Sequence, residues 1–208
     1  MLTGEGRGFS SGADLQAAAT GGFPDDLGAA LDAHFNPLVR TMLGLPVPIV
    51  AAVNGVAAGA GCSLALACDI IVAARSATFH MAFVGIALVP DAGANWLLPR
   101  AIGRHRALEM MLLGEPVGAE TALAWGLANR VVEDGEALPA AQGIAAKLAA
   151  GPTRTLGLIR RLAMDTSGHV DSALAAERRA QCEAGRSEDF RGAVLSFLTK
   201  QAPVFKGR

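Results

Sequence analysis

The densest apolar run in the chain, Pro48 to Ala73, reads as strand, turn, buried helix and strand. Ile49 to Val53 is short, rich in β-branched residues and bounded by Pro48 and Asn54-Gly55, which predicts a strand buried on both faces. Ser63 to Cys68 carries small or apolar residues on every side, so it forms a helix only if enclosed all round. Before this run, Met1-Leu2-Thr3 reads as the end of a strand whose beginning is absent, followed by the glycine-rich loop Gly4 to Gly8. Gln16 to Asp26 has the composition of a mobile loop near a site. Leu27, Leu31, Phe35, Leu38 and Met42 recur at helical spacing and predict a helix over 27–43. Beyond the central run, Ala77 to Met81 predicts a brief strand, then helices over 92–99, 104–113 and 118–126, and a strand over 129–132. From Leu138 the strands stop, and helices are expected over 138–149, 153–164, 170–184 and 187–198, the last capped by Ser187 with acids behind it.

Alternating strands and helices followed by helices alone predict an α/β core over residues 1–137 and a helical region over 138–208. At 208 residues, with 51% hydrophobic and 18% charged, the chain buries a substantial core. A net charge of -1 with scattered basic residues points away from nucleic acid and from a membrane surface. The run Ile70 to Ala74 is closed by Asp69 and Arg75 far short of a membrane span, and the first residues lack the pattern of a signal peptide. Cys62, Cys68 and Cys182 have neither metal nor redox spacing, so a cytoplasmic protein with reduced thiols is expected, Cys62 and Cys68 being small core residues.

Two turns made of small residues carry the candidate chemistry. Val56 to Gly61 has almost no side-chain bulk, and the helix that starts there presents unpaired N–H groups suited to negative charge developing on a carbonyl oxygen. Tight packing of strand on helix would need the same residues. Phe9 to Leu15 repeats the theme, and within it Gly8-Phe9-Ser10-Ser11-Gly12 fits the G-x-S-x-G nucleophile elbow, although a glycine-rich loop rather than a strand is expected before it. Asp91 stands among Ile86, Ala87, Leu88, Val89, Trp96 and Leu97, where an unpaired carboxylate is costly without a task. It could equally cap the helix that follows.

Taken together, Gly8 to Leu15, Pro46 to Asp69, Leu88 to Gly93, Trp96 to Arg100, Gly126 to Val132 and Phe197 to Gly207 make the chain resemble the crotonase, or enoyl-CoA hydratase/isomerase, superfamily over essentially its whole length. The resemblance implies a spiral of ββα turns with a C-terminal helical region that trimerises, and an acyl-CoA substrate. It places the thioester oxygen between the backbone N–H groups of Ala13 and Ala60. It also implies Phe9, Ser11, Gly12, Asp14, Leu15, Gly59, Gly61, Ser63, Phe83 and Pro90 as further substrate-binding positions. Hydratases of this kind use two glutamates, and the matching positions here are Ser63 and Phe83. Asp91 instead matches the proton-transferring aspartate of isomerases, and its surroundings are most like those of the phenylacetate-pathway isomerases, which rearrange ring-epoxidised phenylacetyl-CoA and shift double bonds.

The expected activity is therefore isomerisation of a CoA thioester through an enolate, with no metal and no cofactor, CoA being part of the substrate. The alternatives are hydration, or a catalytically impaired acyl-CoA-binding subunit, since the family has a further strand pair and helix before the position of Met1. Leu156, Ile159, Leu162, Val194, Phe197 and Leu198 predict a homo-oligomer, a trimer or a dimer of trimers. Lys200, Lys206 and Arg208 are either a CoA-phosphate contact or a solvated tail.

Overall fold

The computed structural model describes residues 1–14, 26–164, 178, 181, 183, 184 and 187–208, without the side chains of Leu27, Val194, Leu195, Phe197 and Leu198. Leu15, Cys182 and most of the helix expected over 170–184 thus lie outside the described residues. Two compact units emerge, Met1–Leu43 with Ile49–Gln142 and Gly44–Pro48 with Gly143–Arg208.

In the first unit the first six strands are dealt alternately to two sheets, and the seventh joins the same sheet as the sixth. β1 (Leu2–Thr3), β3 (Val50–Val53), β5 (Ile70–Ala74) and β8 (Arg130–Val132) form one sheet in the order β1-β3-β5-β8, parallel throughout. β2 (Gly8–Ser10), β4 (Val56–Ala58), β6 (Thr78–His80) and β7 (Val117–Gly118) form the other, with only the β6–β7 pair antiparallel. The pairs β1–β2, β3–β4 and β5–β6 are each followed by helix, making a succession of ββα turns, whereas a helix over 119–125 separates β7 from β8. All four residues of β3 are at most 1% exposed, as a strand covered on both faces must be, and its continuous Val-Ala-Ala-Val run reflects that.

Two strands arise where turns were expected. Val56–Ala58 and Gly8–Ser10 are strands β4 and β2, hydrogen-bonded to each other with Ser10 opposite Ala57 and an irregularity between Gly8 and Ser10. Small residues give little β signal of their own, and the ladder that β4 shares with β2 and β6 supplies what propensity does not. Asn54 then ties down the loop before β2: its side chain donates to Gly6 O (3.0 Å) and Gly8 O (3.1 Å) and accepts from Gly4 N–H (3.2 Å).

The helix expected over 27–43 is present with a change of pitch. α1 (Leu27–Ala30) passes through a π-helical turn, Leu31–Phe35, into α2 (Asn36–Gly44). Pro37 has no N–H to continue the α ladder, and the Asn36 N–H reaches the Leu31 carbonyl instead. Val39 and Met42 are the buried side chains of α2, while Leu38 stays 44% exposed. α3 (Ala60–Leu66) is enclosed, six of its seven residues being buried, and Cys62 and Cys68 are buried thiols in the core. Burial pushes the Cys62 thiol up to about 12, which leaves it protonated and inert. α4 (Ala94–Ile102), α5 (Arg104–Leu113) and α6 (Ala119–Trp125) complete the unit. On its surface, Arg75 pairs with Glu120 and with Glu133 (2.7 Å), and Arg75 holds the Glu133 carboxyl below the usual range.

The second unit takes up the chain from within α7 (Ala137–Ala149) and continues with α8 (Thr153–Met164) and α9 (Glu188–Leu198). Arg160, 6% exposed, donates to Leu45 O at 2.8 Å, fixing α8 to the Gly44–Pro48 segment. Ser187 caps α9 as its sequence predicts, its Oγ accepting from Phe190 N–H at 3.0 Å and donating to Ala184 O at 2.7 Å. Asp189 does more than favour the helix start: buried to 4% exposure, its carboxylate accepts from Lys206 N–H (2.6 Å) and Gly207 N–H (2.8 Å). Residues 206–208 are thereby strapped to α9, and Arg208 pairs with Glu188 at 3.2 Å. Ile159 is 57% exposed, whereas the side chains of Val194, Phe197 and Leu198 lie outside the described residues. No helix among the described residues is long and apolar enough to cross a membrane.

Because Ser187 is buried and serves two partners, Ser187→Ala should destabilise the protein by about 1–2 kcal/mol, the upper half of the usual range for a lost cap. Ser187→Thr should recover most of it. Urea unfolding of the three proteins measures this, and equal stability of parent and Ala variant would contradict the capping role.

Candidate active site

β2 and β4 deliver the two small-residue turns to the same place. After β2 the chain passes Gly12, whose φ of 84° is in the left-handed region. A Cβ built on Gly12 would lie 2.9 Å from the Ala60 amide nitrogen, so only glycine lets this loop run against the start of α3. After β4, Gly59 adopts φ 53° and ψ -130°, a conformation that L side chains rarely permit, and its N–H extends the ladder to His80 O at 2.9 Å. The chain then enters α3 at Ala60. Helix N-termini leave their first N–H groups without intrahelical partners, and the first bond inside this one runs from Ser63 N–H to Gly59 O at 3.2 Å.

A cavity of about 160 Å³ opens at this junction, walled by Ser11, Ala13, Phe35, Gly59, Ala60, Ala82, Phe83, Ile86, Leu88 and Asp91. Six positions singled out in the sequence, Asp91, Ala13, Ala60, Ser11, Gly59 and Phe83, are thus brought together. Phe9, Gly12, Asp14, Gly61, Ser63 and Pro90 are not on the wall. Phe9 is a core side chain 7% exposed. Gly61 serves packing, since a Cβ there would meet Ser10 O at 2.3 Å. Ser63 is fully buried with its hydroxyl turned to Gly59 O at 3.4 Å. Phe35, Ala82, Ile86 and Leu88 line the cavity without having been singled out. Apolar side chains carry no chemical signature in a sequence, and only the arrival of α1–α2 and of the 3₁₀ turn Ala82–Ile86 at this point gives them a role. The Gly8 to Gly12 motif does hold a strand, yet Ser10 Oγ faces its own loop, accepting from Gly12 N–H at 3.2 Å.

Asp91 is the titratable side chain on the cavity wall. It does not cap a helix: α4 begins at Ala94, later than the predicted 92, and its N-cap is Gly93, with no side-chain cap bond. The reason is local. Ala92 (φ 48°) and Gly93 (φ 83°) are both left-handed, and this double reversal separates the Asp91 side chain from the helix end. Ala92 is a residue with a Cβ held in an unfavourable conformation, a strain of the kind that collects at functional sites. It is kept there by burial, in one apolar cluster with Val39 and Ala60 backed by Phe35, Leu43 and Leu64. Among the described residues, Asp91 Oδ1 is the buried side-chain oxygen with no hydrogen-bond partner. Desolvation accordingly pushes the Asp91 carboxyl above the ordinary carboxylate range.

The arrangement combines an apolar cavity, two backbone amides from separate turns and one half-buried carboxylate of raised basicity. The amides suit an oxyanion and the carboxylate suits proton transfer.

The chain is 48% identical over 212 residues to the 1,2-epoxyphenylacetyl-CoA isomerase of Escherichia coli K12, an alignment covering all of this chain and 80% of that protein. It is 34% identical over 209 residues to the 2,3-dehydroadipyl-CoA hydratase of the same organism, again over all of this chain and 80% of the relative. Among solved structures, the enoyl-CoA hydratase of Bacillus anthracis superposes with a TM-score of 0.93 at 31% identity, covering all of this chain and 80% of that one. The sequence model of the enoyl-CoA hydratase/isomerase family matches residues 1–208, and the chain belongs to that family.

Proposed function

We propose that the protein is an acyl-CoA isomerase that shifts a double bond, or rearranges a ring epoxide, next to a CoA thioester. The observation that carries this reading is the buried, unpartnered Oδ1 of Asp91 on the same cavity wall as Ala13 and Ala60. In the double-bond shift, the thioester oxygen accepts hydrogen bonds from the Ala13 and Ala60 N–H groups, and the carbon beside the carbonyl becomes acidic. Asp91 removes a proton from that carbon, and the electron pair spreads into a dienolate whose charge rests on the thioester oxygen. The protonated Asp91 then returns the proton to the far carbon of the conjugated system, so one carboxyl restores itself within a turnover.

Isomerisation is favoured over hydration by the number of carboxylates. A hydratase of this family holds its water between two glutamates, and here Ser63 spends its hydroxyl on Gly59 O while Phe83 presents a ring to the cavity. The 48% identity to an epoxyphenylacetyl-CoA isomerase supports the same reading, as do Phe35 and Phe83, two aromatic walls for an unsaturated or ring-bearing acyl group. Assembly into trimers, and a contact of Lys206 or Arg208 with the CoA phosphates, form part of this proposal. Incubation with crotonyl-CoA in heavy-oxygen water separates the two reactions, since hydration incorporates the label and isomerisation does not.

Asp91→Asn should lower isomerisation, and solvent-deuterium exchange beside the thioester, by about a hundredfold or more with acyl-CoA binding retained. Retained turnover within a few-fold would remove Asp91 from the mechanism. The same variant has a stability signature. Because the folded carboxyl titrates above the unfolded one, the cost of burying its charge is absent below the ordinary carboxylate range and complete above the raised value. Asp91→Asn should therefore melt higher than the parent at neutral pH, the gain vanishing on acidification through that window.

Gly12→Ala puts a methyl group 2.9 Å from the Ala60 amide and forces a left-handed residue to carry a Cβ. Turnover should fall by about a hundredfold, the scale of a lost oxyanion donor. Steady-state kinetics within threefold of the parent would show that the Ala60 amide does not face the substrate.

A further inference from the structure

The Asp91 carboxylate has no anchor of its own at Oδ1, so its direction must be set by the backbone that carries it. Both peptide groups flanking Asp91 are held. On one side the Ala94 N–H donates to Asp91 O at 3.0 Å, a bond of the helix start. On the other, the side-chain Nδ2 of Asn95 donates to Pro90 O, the carbonyl of the peptide bond that enters Asp91. Asn95 sits on the second residue of α4 and is itself exposed and off the cavity wall, so it neither touches the substrate space nor contributes to the core. Its bond spans the strained Ala92-Gly93 reversal and closes the segment from Pro90 to Asn95 into a ring.

The geometry points to Asn95 as a positioning residue for Asp91, one that aims the proton-transferring carboxylate into the cavity by fixing the Pro90 carbonyl. This rests on the proposed role of Asp91. A free Pro90–Asp91 peptide could rotate, and with no bond at Oδ1 to resist, the carboxylate would turn toward solvent, where it is better hydrated. The helix gains little from this asparagine as such, since asparagine is a poor interior residue and its value lies in the bond made backwards across the turn.

Asn95→Asp is the discriminating variant. It keeps the shape, loses the donor, sets an acceptor against the Pro90 carbonyl, and places an acid in the first helical turn where it favours the helix. The melting temperature should be unchanged or higher, kcat for isomerisation should fall about tenfold, the scale of one lost hydrogen bond, and KM should stay within twofold. Asn95→Ala should give the same kcat loss, and Asn95→Gln, which retains an amide donor, should recover part of it. Adding Asn95→Asp to Asp91→Asn should cost nothing further, because a residue that acts through Asp91 has no effect once Asp91 is disabled. A kcat within twofold of the parent in both Asn95→Asp and Asn95→Ala, or a full additive loss in the double variant, overturns the assignment of Asn95. If Asp91→Asn alone keeps its turnover, the reading of Asp91 fails and the positioning role falls with it, an outcome distinct from the first two.

Discussion

The close approach of two backbones at Gly12 and Ala60 is the constraint on which the site depends. A carbonyl oxygen can be held by two amides only if both reach it at once, and the amides here come from turns 47 residues apart in sequence. Parallel pairing of β2 with β4 makes that approach possible, because it brings both strands to their ends side by side. Glycine then removes the side chain that would keep the loop from the helix start. Ala60 stands in the first turn of a helix, where N–H groups have no carbonyl of the same helix to bond, and its amide is therefore fit to serve as a donor in the proposed site.

The second half of the site is coupled to the first through packing. Ala92, beside the candidate proton-transfer group, and Ala60, whose amide is a candidate oxyanion donor, belong to one apolar cluster with Val39. The strained conformation of Ala92 is tolerable because the cluster buries it to 2% exposure, and the strain keeps Asp91 from relaxing into an ordinary helix cap. A carboxylate with one buried oxygen left unbonded is a net cost to folding, and it is the kind of cost that a catalytic acid–base imposes and a structural aspartate does not. The contrast within this chain is Asp189, equally near a helix start, whose two oxygens are both satisfied by the tail they strap down.

Much of this was legible in the residues. Continuous apolar runs announced β3 and β5, helical periodicity announced α5, α6 and α8, and the poverty of side chains at 56–61 marked the turn at which the cavity opens. What was not legible depended on tertiary pairing or on small conformational choices. Val56-Ala57-Ala58 and Gly8-Phe9-Ser10 become strands only because neighbours offer them ladders. The Asp91 side chain looked equally fit to cap a helix, and the decision against that lies in two positive φ values that Ala92 does not betray. Phe35, Ile86 and Leu88 could be recognised as apolar but not as walls of a cavity, since which face of a helix or turn meets a site is settled by the packing of the whole unit. Gly61 and Ser63, which the family resemblance placed among the substrate-binding positions, serve the junction of α3 with β2 and the helix itself.

The central claim is that the cavity polarises a thioester carbonyl with two amides, and the vibration of that carbonyl reports it directly. Infrared difference spectroscopy with an acyl-CoA carrying carbon-13 at the thioester carbonyl, bound to the protein and compared with the same compound free in water, isolates the stretch of interest. Hydrogen bonds from two desolvated amides are stronger than those of water, so the stretch should move to lower frequency on binding. A stretch unchanged from water, or raised toward its value in an apolar solvent, would mean that the Ala13 and Ala60 amides do not hold the oxygen, and the account of the site would be wrong.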